Sequence, residues 1–208
     1  MFEYVDQTNY TYKVADINLA EAGAAALKSA EGDCSDIIAL RQENEAAKPL
    51  NGKRITCCVE VGARGVAFVE ALAALGATVR VCANGTATTV NELAAKLAKD
   101  EISVFAWKGE SLAEFWWCAR KSLDFTDKAC PDFIVDEGGR LSLLIERGVE
   151  FSDDFGLYSK DYSEADEDTL ELVELLRMVR GHIDWHRVKD SVGKTVSAVS
   201  AEGIREML

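Results

Sequence analysis

A protein can do chemistry with thiols, metal ligands, bound cofactors or converging acids and bases, and this chain supplies these unevenly. Its six cysteines stand at positions 34, 57, 58, 82, 118 and 130. They form no C-x-x-C pair, and most lie inside apolar runs. That pattern predicts reduced, buried thiols of a cytoplasmic protein, not a disulfide framework or a zinc site. His182 and His186 have a spacing that puts two metal ligands on one face of a helix. The run Ile183 to Val188 has the character of a strand, which would also align them, but no third ligand accompanies the pair. No G-x-G-x-x-G occurs anywhere, so the sequence predicts no dinucleotide-binding turn of its own.

Composition narrows the partners. With 23 basic and 36 acidic residues the net charge is −13, which argues against nucleic acid and against an anionic membrane surface. There is no run of 18 or more apolar residues. The opening Met1 to Val14 lacks the basic-then-apolar order of a signal peptide. At 208 residues, positions 1–208 fit one domain with a sizeable core.

The elements that must position any site alternate. Helices are expected over Ile17 to Ala30, where Gly23 weakens the apolar stripe, and over Ser35 to Glu45. Arg54 to Val61 is a β-branched strand, Gly65 to Leu75 a helix, and Thr78 to Cys82 a strand. Thr89 with Glu92 forms the pattern of a capping box for a helix through Lys99. Ile102 to Trp107 is a strand, and Ser111 with Glu114 opens the next helix in the same way. A strand at Phe133 to Val135 and a helix at Arg140 to Arg147 follow. A polar loop then spans Asp153 to Ser163, and Ser163 and Asp166 cap a helix to Val179. Ile183 to Val188 is expected as a further strand, and 190–208 as a weakly amphipathic hinge or docking helix. Such alternation predicts an α/β fold, an open parallel sheet with helices on both faces in a Rossmann-like three-layer arrangement. Gly62, Gly85, Gly109 and Gly138 then fall at the carboxyl edge, where open α/β sheets bind ligands.

Several strings carry a resemblance. Phe105-Ala106-Trp107-Lys108-Gly109-Glu110 followed by Phe115-Trp116-Trp117-Cys118 is very similar to adenosylhomocysteinase, which splits S-adenosylhomocysteine into adenosine and homocysteine. Tyr12 to Ile17, Lys48-Pro49-Leu50, Asp136-Glu137-Gly138-Gly139, and Asp190-Ser191-Val192 with Lys194 repeat the likeness in the same order. The resemblance implies a substrate-binding domain that in the family precedes an NAD-binding domain. The family's redox step uses that NAD, for which this chain carries no motif.

The same resemblance implies site residues. Glu137 falls on the family's catalytic aspartate and Lys194 on its catalytic lysine. Substrate contacts fall on Glu60 (a histidine in the family), Arg64, Thr88, Glu137, Glu164 and Lys194. Other family groups are replaced: a threonine by Gly62, an aspartate by Arg140, and an Asp-Asn pair by Ala198-Val199. From the residues alone, Glu137 has the rival role of capping the following helix, Glu164 that of a solvated charge, and Lys194 that of an exposed one. The scaffold strings persist while ligand contacts drift. The expectation is therefore a family-like protein inactive alone and serving as a binding or assembly module, as a homo-oligomer or beside a full-length paralogue. The alternatives are a partial hydrolase subunit needing a separate NAD-binding domain, and a sensor of adenosine or S-adenosylhomocysteine without turnover.

Overall fold

A computed structural model describes residues 11–125 and 128–208 of the chain; the Met1 to Tyr10 part of the opening segment lies outside them. Five strands form one parallel sheet: β1 (Arg54–Val59), β2 (Thr78–Ala83), β3 (Ser103–Phe105), β4 (Phe133–Asp136) and β5 (Lys194–Val196). Their spatial order is β3-β2-β1-β4-β5. The expected α/β parallel sheet is present. β1 leads leftward to β2 and β3, whereas β4 and β5 lie on its other side, so the order reverses between β1 and β4. Ligands of open α/β sheets sit at the carboxyl end of such a reversal.

Alternation along each buried strand feeds two cores. Ile55, Cys57 and Val59 join one cluster with helices α2 (Ser35–Asn44), α3 (Ala63–Ala74) and α4 (Asn91–Lys99). Cys58, Cys82 and Phe105 join the other with α5 (Leu112–Ser122), α6 (Arg140–Asp153), α7 (Glu167–Met178) and α8 (Trp185–Ser191). Side chains one residue apart on a strand point to opposite faces, so short apolar runs suffice for both layers. The Lys13 backbone pairs with Val104 and Ala106, which covers the outer edge of β3.

The capping box of α5 forms as expected, with Glu114 N donating to Ser111 Oγ at 3.3 Å and Ser111 N to Glu114 Oε2 at 2.8 Å. Elsewhere the sequence expectations need correction. Thr89 caps nothing: Val90 precedes α4 without a side-chain cap, because Val90 N and Thr88 O are taken by the backbone of Val61. Gly23 is less a weakness than a contact point in α1 (Ala20–Ser29). A Cβ there would lie 2.0 Å from the Glu92 carbonyl oxygen of α4. α6 runs on to Asp153, and a 3-10 turn at Phe155–Ser159, capped by Asp154, occupies the expected loop. Asp166 alone caps α7.

The largest correction concerns the last quarter. Ile183 to Val188 is not a strand: Asp184 caps α8, and Trp185 and Val188, three apart, are buried on its inner face. The fifth strand is Lys194–Val196, within the stretch expected to be helical, followed by α9 (Ala201–Arg205). The run has the character of a strand, but the burial follows the i, i+3 pair of a helix. Three residues of β5 are too few to show a period. His182 and His186 consequently diverge: His182 Nδ1 lies 3.0 Å from the Arg180 carbonyl, and His186 Nε2 lies 2.8 Å from Asp153 Oδ1. Among the described residues no group of three His, Cys, Asp or Glu could hold a metal, and no helix is long and apolar enough to cross a membrane. All six cysteines are buried and free.

Candidate functional site at the carboxyl edge

The reversal between β1 and β4 brings Glu60, Asn84 and Glu137 together. Glu137 follows β4, and its Oε2 accepts from Glu60 N at 2.9 Å and from Asn84 Nδ2 at 2.8 Å. Its own amide donates to the Cys58 carbonyl. One carboxylate thus ties the ends of β1, β2 and β4. The helix-capping role falls instead to Asp136, 3% exposed, which accepts from Leu141 N, Ser142 N and Ser142 Oγ at the start of α6.

The remaining expected residues scatter. Thr88 Oγ1 donates to the Gly85 carbonyl, closing the loop after β2. Arg64, in the first turn of α3, grips both carboxylate oxygens of Asp36 at 3.1 and 2.8 Å and donates to the carbonyls of Asp33 and Val199. This clamp joins α2, α3 and the approach to α9, and it holds the Asp36 carboxyl below its ordinary range. Glu164 is exposed in the turn before α7. Lys194 opens β5 in register with Phe133, at the amino edge of the sheet. Glu137 stands four residues beyond Phe133, just past the end of β4, about 13 Å along at the rise of a strand. The Lys194 ammonium meets the Glu206 carbonyl at 3.0 Å and its carboxylate at 3.2 Å. The structure therefore gathers Glu60 and Glu137 and leaves Lys194 and Glu164 apart from them.

Two groups at this edge were not among the site residues expected from sequence. Arg140, where the resembled family has aspartate, meets Asp168 in a two-pronged pair of 2.6 and 2.9 Å. Its guanidinium also lies 4.8 Å from the Trp116 ring centre and 5.0 Å from that of Phe115. Trp116 Nε1 donates to Asp168 Oδ1, so the starts of α5, α6 and α7 are laced by one network. Arg140 was visible in the motif, but its partner 28 residues on was not. Glu110 is the second. It is 3% exposed, and neither oxygen finds a full hydrogen-bond partner. Burial pushes its carboxyl up to about 8, opposed by the weak donor Cys118 and by Lys13, and assisted by Glu114. The Lys13 ammonium sits over the Trp107 and Trp117 rings at 4.5 and 4.8 Å.

Comparison with known proteins gives the same family from two directions. A sequence model of S-adenosyl-L-homocysteine hydrolase matches residues 11–208. An adenosylhomocysteinase of Solanum lycopersicum is 36% identical over 169 residues, covering 81% of this chain and 35% of that protein. The chain thus spans about a third of the length of the relative it matches.

Proposed function

This chain belongs to the S-adenosyl-L-homocysteine hydrolase family, and on that premise we propose that it is a binding or assembly module of the family without turnover of its own. The observation that carries the reading is that the two retained catalytic positions do not converge. Glu137 is committed to Glu60 N and Asn84, while Lys194 is paired with Glu206 at the opposite edge of the sheet. Acid–base catalysis needs both groups within hydrogen-bond reach of one substrate, roughly 3 Å.

NAD, which the family resemblance assigns to a separate domain, does not fit the residues at the switch point of this sheet either. A dinucleotide's pyrophosphate would sit at the N-terminus of α3. There the Glu60 carboxylate oxygen lies 3.0 Å from the position of a Cβ on Gly62, and a negative charge in that place opposes an anion. No step through NAD is assigned to this chain. The partners in this reading are a second copy or a full-length adenosylhomocysteinase, in a cytoplasmic setting that suits six reduced thiols. The reading of a partial hydrolase subunit requires a separate NAD-bearing domain to reposition Lys194.

A second reading, ligand binding without turnover, draws on a separate observation. Asn84 Oδ1 and Thr89 Oγ1 are buried near this edge without partners, as groups awaiting a polar ligand would be. The test is calorimetric titration of the chain with adenosine and with S-adenosylhomocysteine, alongside an assay of homocysteine release with and without NAD and a full-length adenosylhomocysteinase. Co-assembly without heat or release supports the module. Binding tighter than about 100 μM without release replaces it with the sensor. Release on mixing that exceeds what the full-length enzyme gives alone, with the excess lost in Lys194→Ala, overturns both in favour of a hydrolase subunit.

A further inference from the structure

We propose that the opposite, amino edge of the sheet carries a second ligand site, a cavity for a small amphipathic anion with an apolar or aromatic body and one carboxylate, sulfonate or phosphate. A cavity of about 580 Å³ opens between the end of α5, the segment leading into β4, and the turn from α7 to α8. Its volume lies within the roughly 300–1,000 Å³ that suits small ligands, and it is concave where a protein partner would need a broad face. The floor is apolar: Leu123, Cys130, Val179, Trp185 and Val188 line it, none more than 8% exposed. The Trp185 ring is held from behind by α6. A Cβ on Gly148 would lie 2.2 Å from that ring, so only glycine lets the helix approach so closely.

The mouth has a different character. Its two acids are already engaged: Asp184 accepts from Arg187 N as the cap of α8, and Asp124 accepts from Lys121 Nζ. Arg120 faces Asp124 at 3.9 Å, whereas two other cations are less committed. Among the described residues the Arg187 and Lys128 side chains make no hydrogen bond or ion pair, and His182 uses only Nδ1. In a chain of net charge −13, unpaired cations beside an apolar hollow define a place for an anion. Glu137 and its neighbours lie at the other end of the strands, so this site is independent of the function proposed above.

The probe is 8-anilinonaphthalene-1-sulfonate, titrated by fluorescence into the full chain, with uncharged N-phenyl-1-naphthylamine as the control for charge. The expected result is one saturable site whose affinity falls at least tenfold in Arg187→Glu. Ile183→Trp, which fills the half-buried wall of the hollow, should abolish it. Arg41→Glu, in the separate cavity between α2 and α3, should leave it unchanged, and thermal midpoints verify that each variant folds. Equal affinity for the uncharged probe, insensitivity to Arg187→Glu or to Ile183→Trp, or loss in Arg41→Glu overturns the proposal.

Discussion

The two ends of this sheet bury charge by opposite rules. At the carboxyl edge Glu110 is enclosed without a compensating cation in contact, and burial raises its carboxyl to about 8. At the amino edge Asp132, just before β4, accepts from Arg54 N, Nε and the guanidinium terminus at 2.8 to 3.0 Å, which holds its carboxyl below the usual range. The carboxyl edge laces other polar groups to one another, through Glu137 and through Arg140 with Asp168, and leaves Asn84 Oδ1 and Thr89 Oγ1 without partners. The amino edge pairs its acids and leaves cations at a cavity mouth. Neither arrangement follows from composition, since both ends draw on the same acid-rich chain. Each depends on which residues the crossovers deliver.

The widest gap between the ends should appear on titration. For Glu110 the folded-state value lies above the unfolded one, so the native state binds the extra proton between about pH 4.5 and 8, and stability falls as pH rises through that window. Glu110→Gln should therefore stabilise the protein at pH 8, on the order of a few kcal/mol, with no gain near pH 4. Chemical denaturation across pH checks this; equal gain at every pH would break the contrast. Next in size is Gly148→Ala, expected to cost about 3 kcal/mol because the Trp185 ring must move. It should also weaken the sulfonate probe while leaving the carboxyl edge intact.

Smaller effects sharpen the comparison. Arg140→Ala should cost about 1–2 kcal/mol, and a double-mutant cycle with Asp168→Ala should return much of it as coupling, since the pair is about a quarter to a third exposed. Asp132→Asn should cost about 1 kcal/mol at pH 7 and nothing once pH falls below the folded carboxyl's lowered range, because a depressed acid stabilises only while ionised. The pH dependence is thus opposite in sign to that of Glu110. Least of all, Lys194→Ala should change stability by no more than about 0.5 kcal/mol, as its pair with Glu206 is well exposed.

Much of the scaffold was legible. The strands at β1, β2 and β4, the helix opened by Ser111 and Glu114, and the parallel sheet all follow from β-branched runs, caps and strand–helix alternation. Those signals are local, and the buried core rewards them where they stand. The strings from Phe105 to Glu110 and from Phe115 to Cys118 likewise carried the family. The errors have local causes as well. Thr89 met every requirement of a cap but was drawn into pairing with Val61, and Ile183 to Val188 offered two periods between which only burial against α6 could choose.

Site chemistry was far less legible, because charge acquires meaning only from what surrounds it. Sequence by itself determined the fold class, the family, the edge at which a ligand site should form, and the presence of Glu137 and Lys194. Tertiary structure alone decided that Glu137 is spent on Glu60 and Asn84, that Arg140 finds Asp168, that Glu110 is buried, and that Lys194 stands at the far end of the sheet. Hydrophobic patterning is read within a few residues along the chain. Electrostatic partnership is set by distances across space, which a linear sequence does not contain.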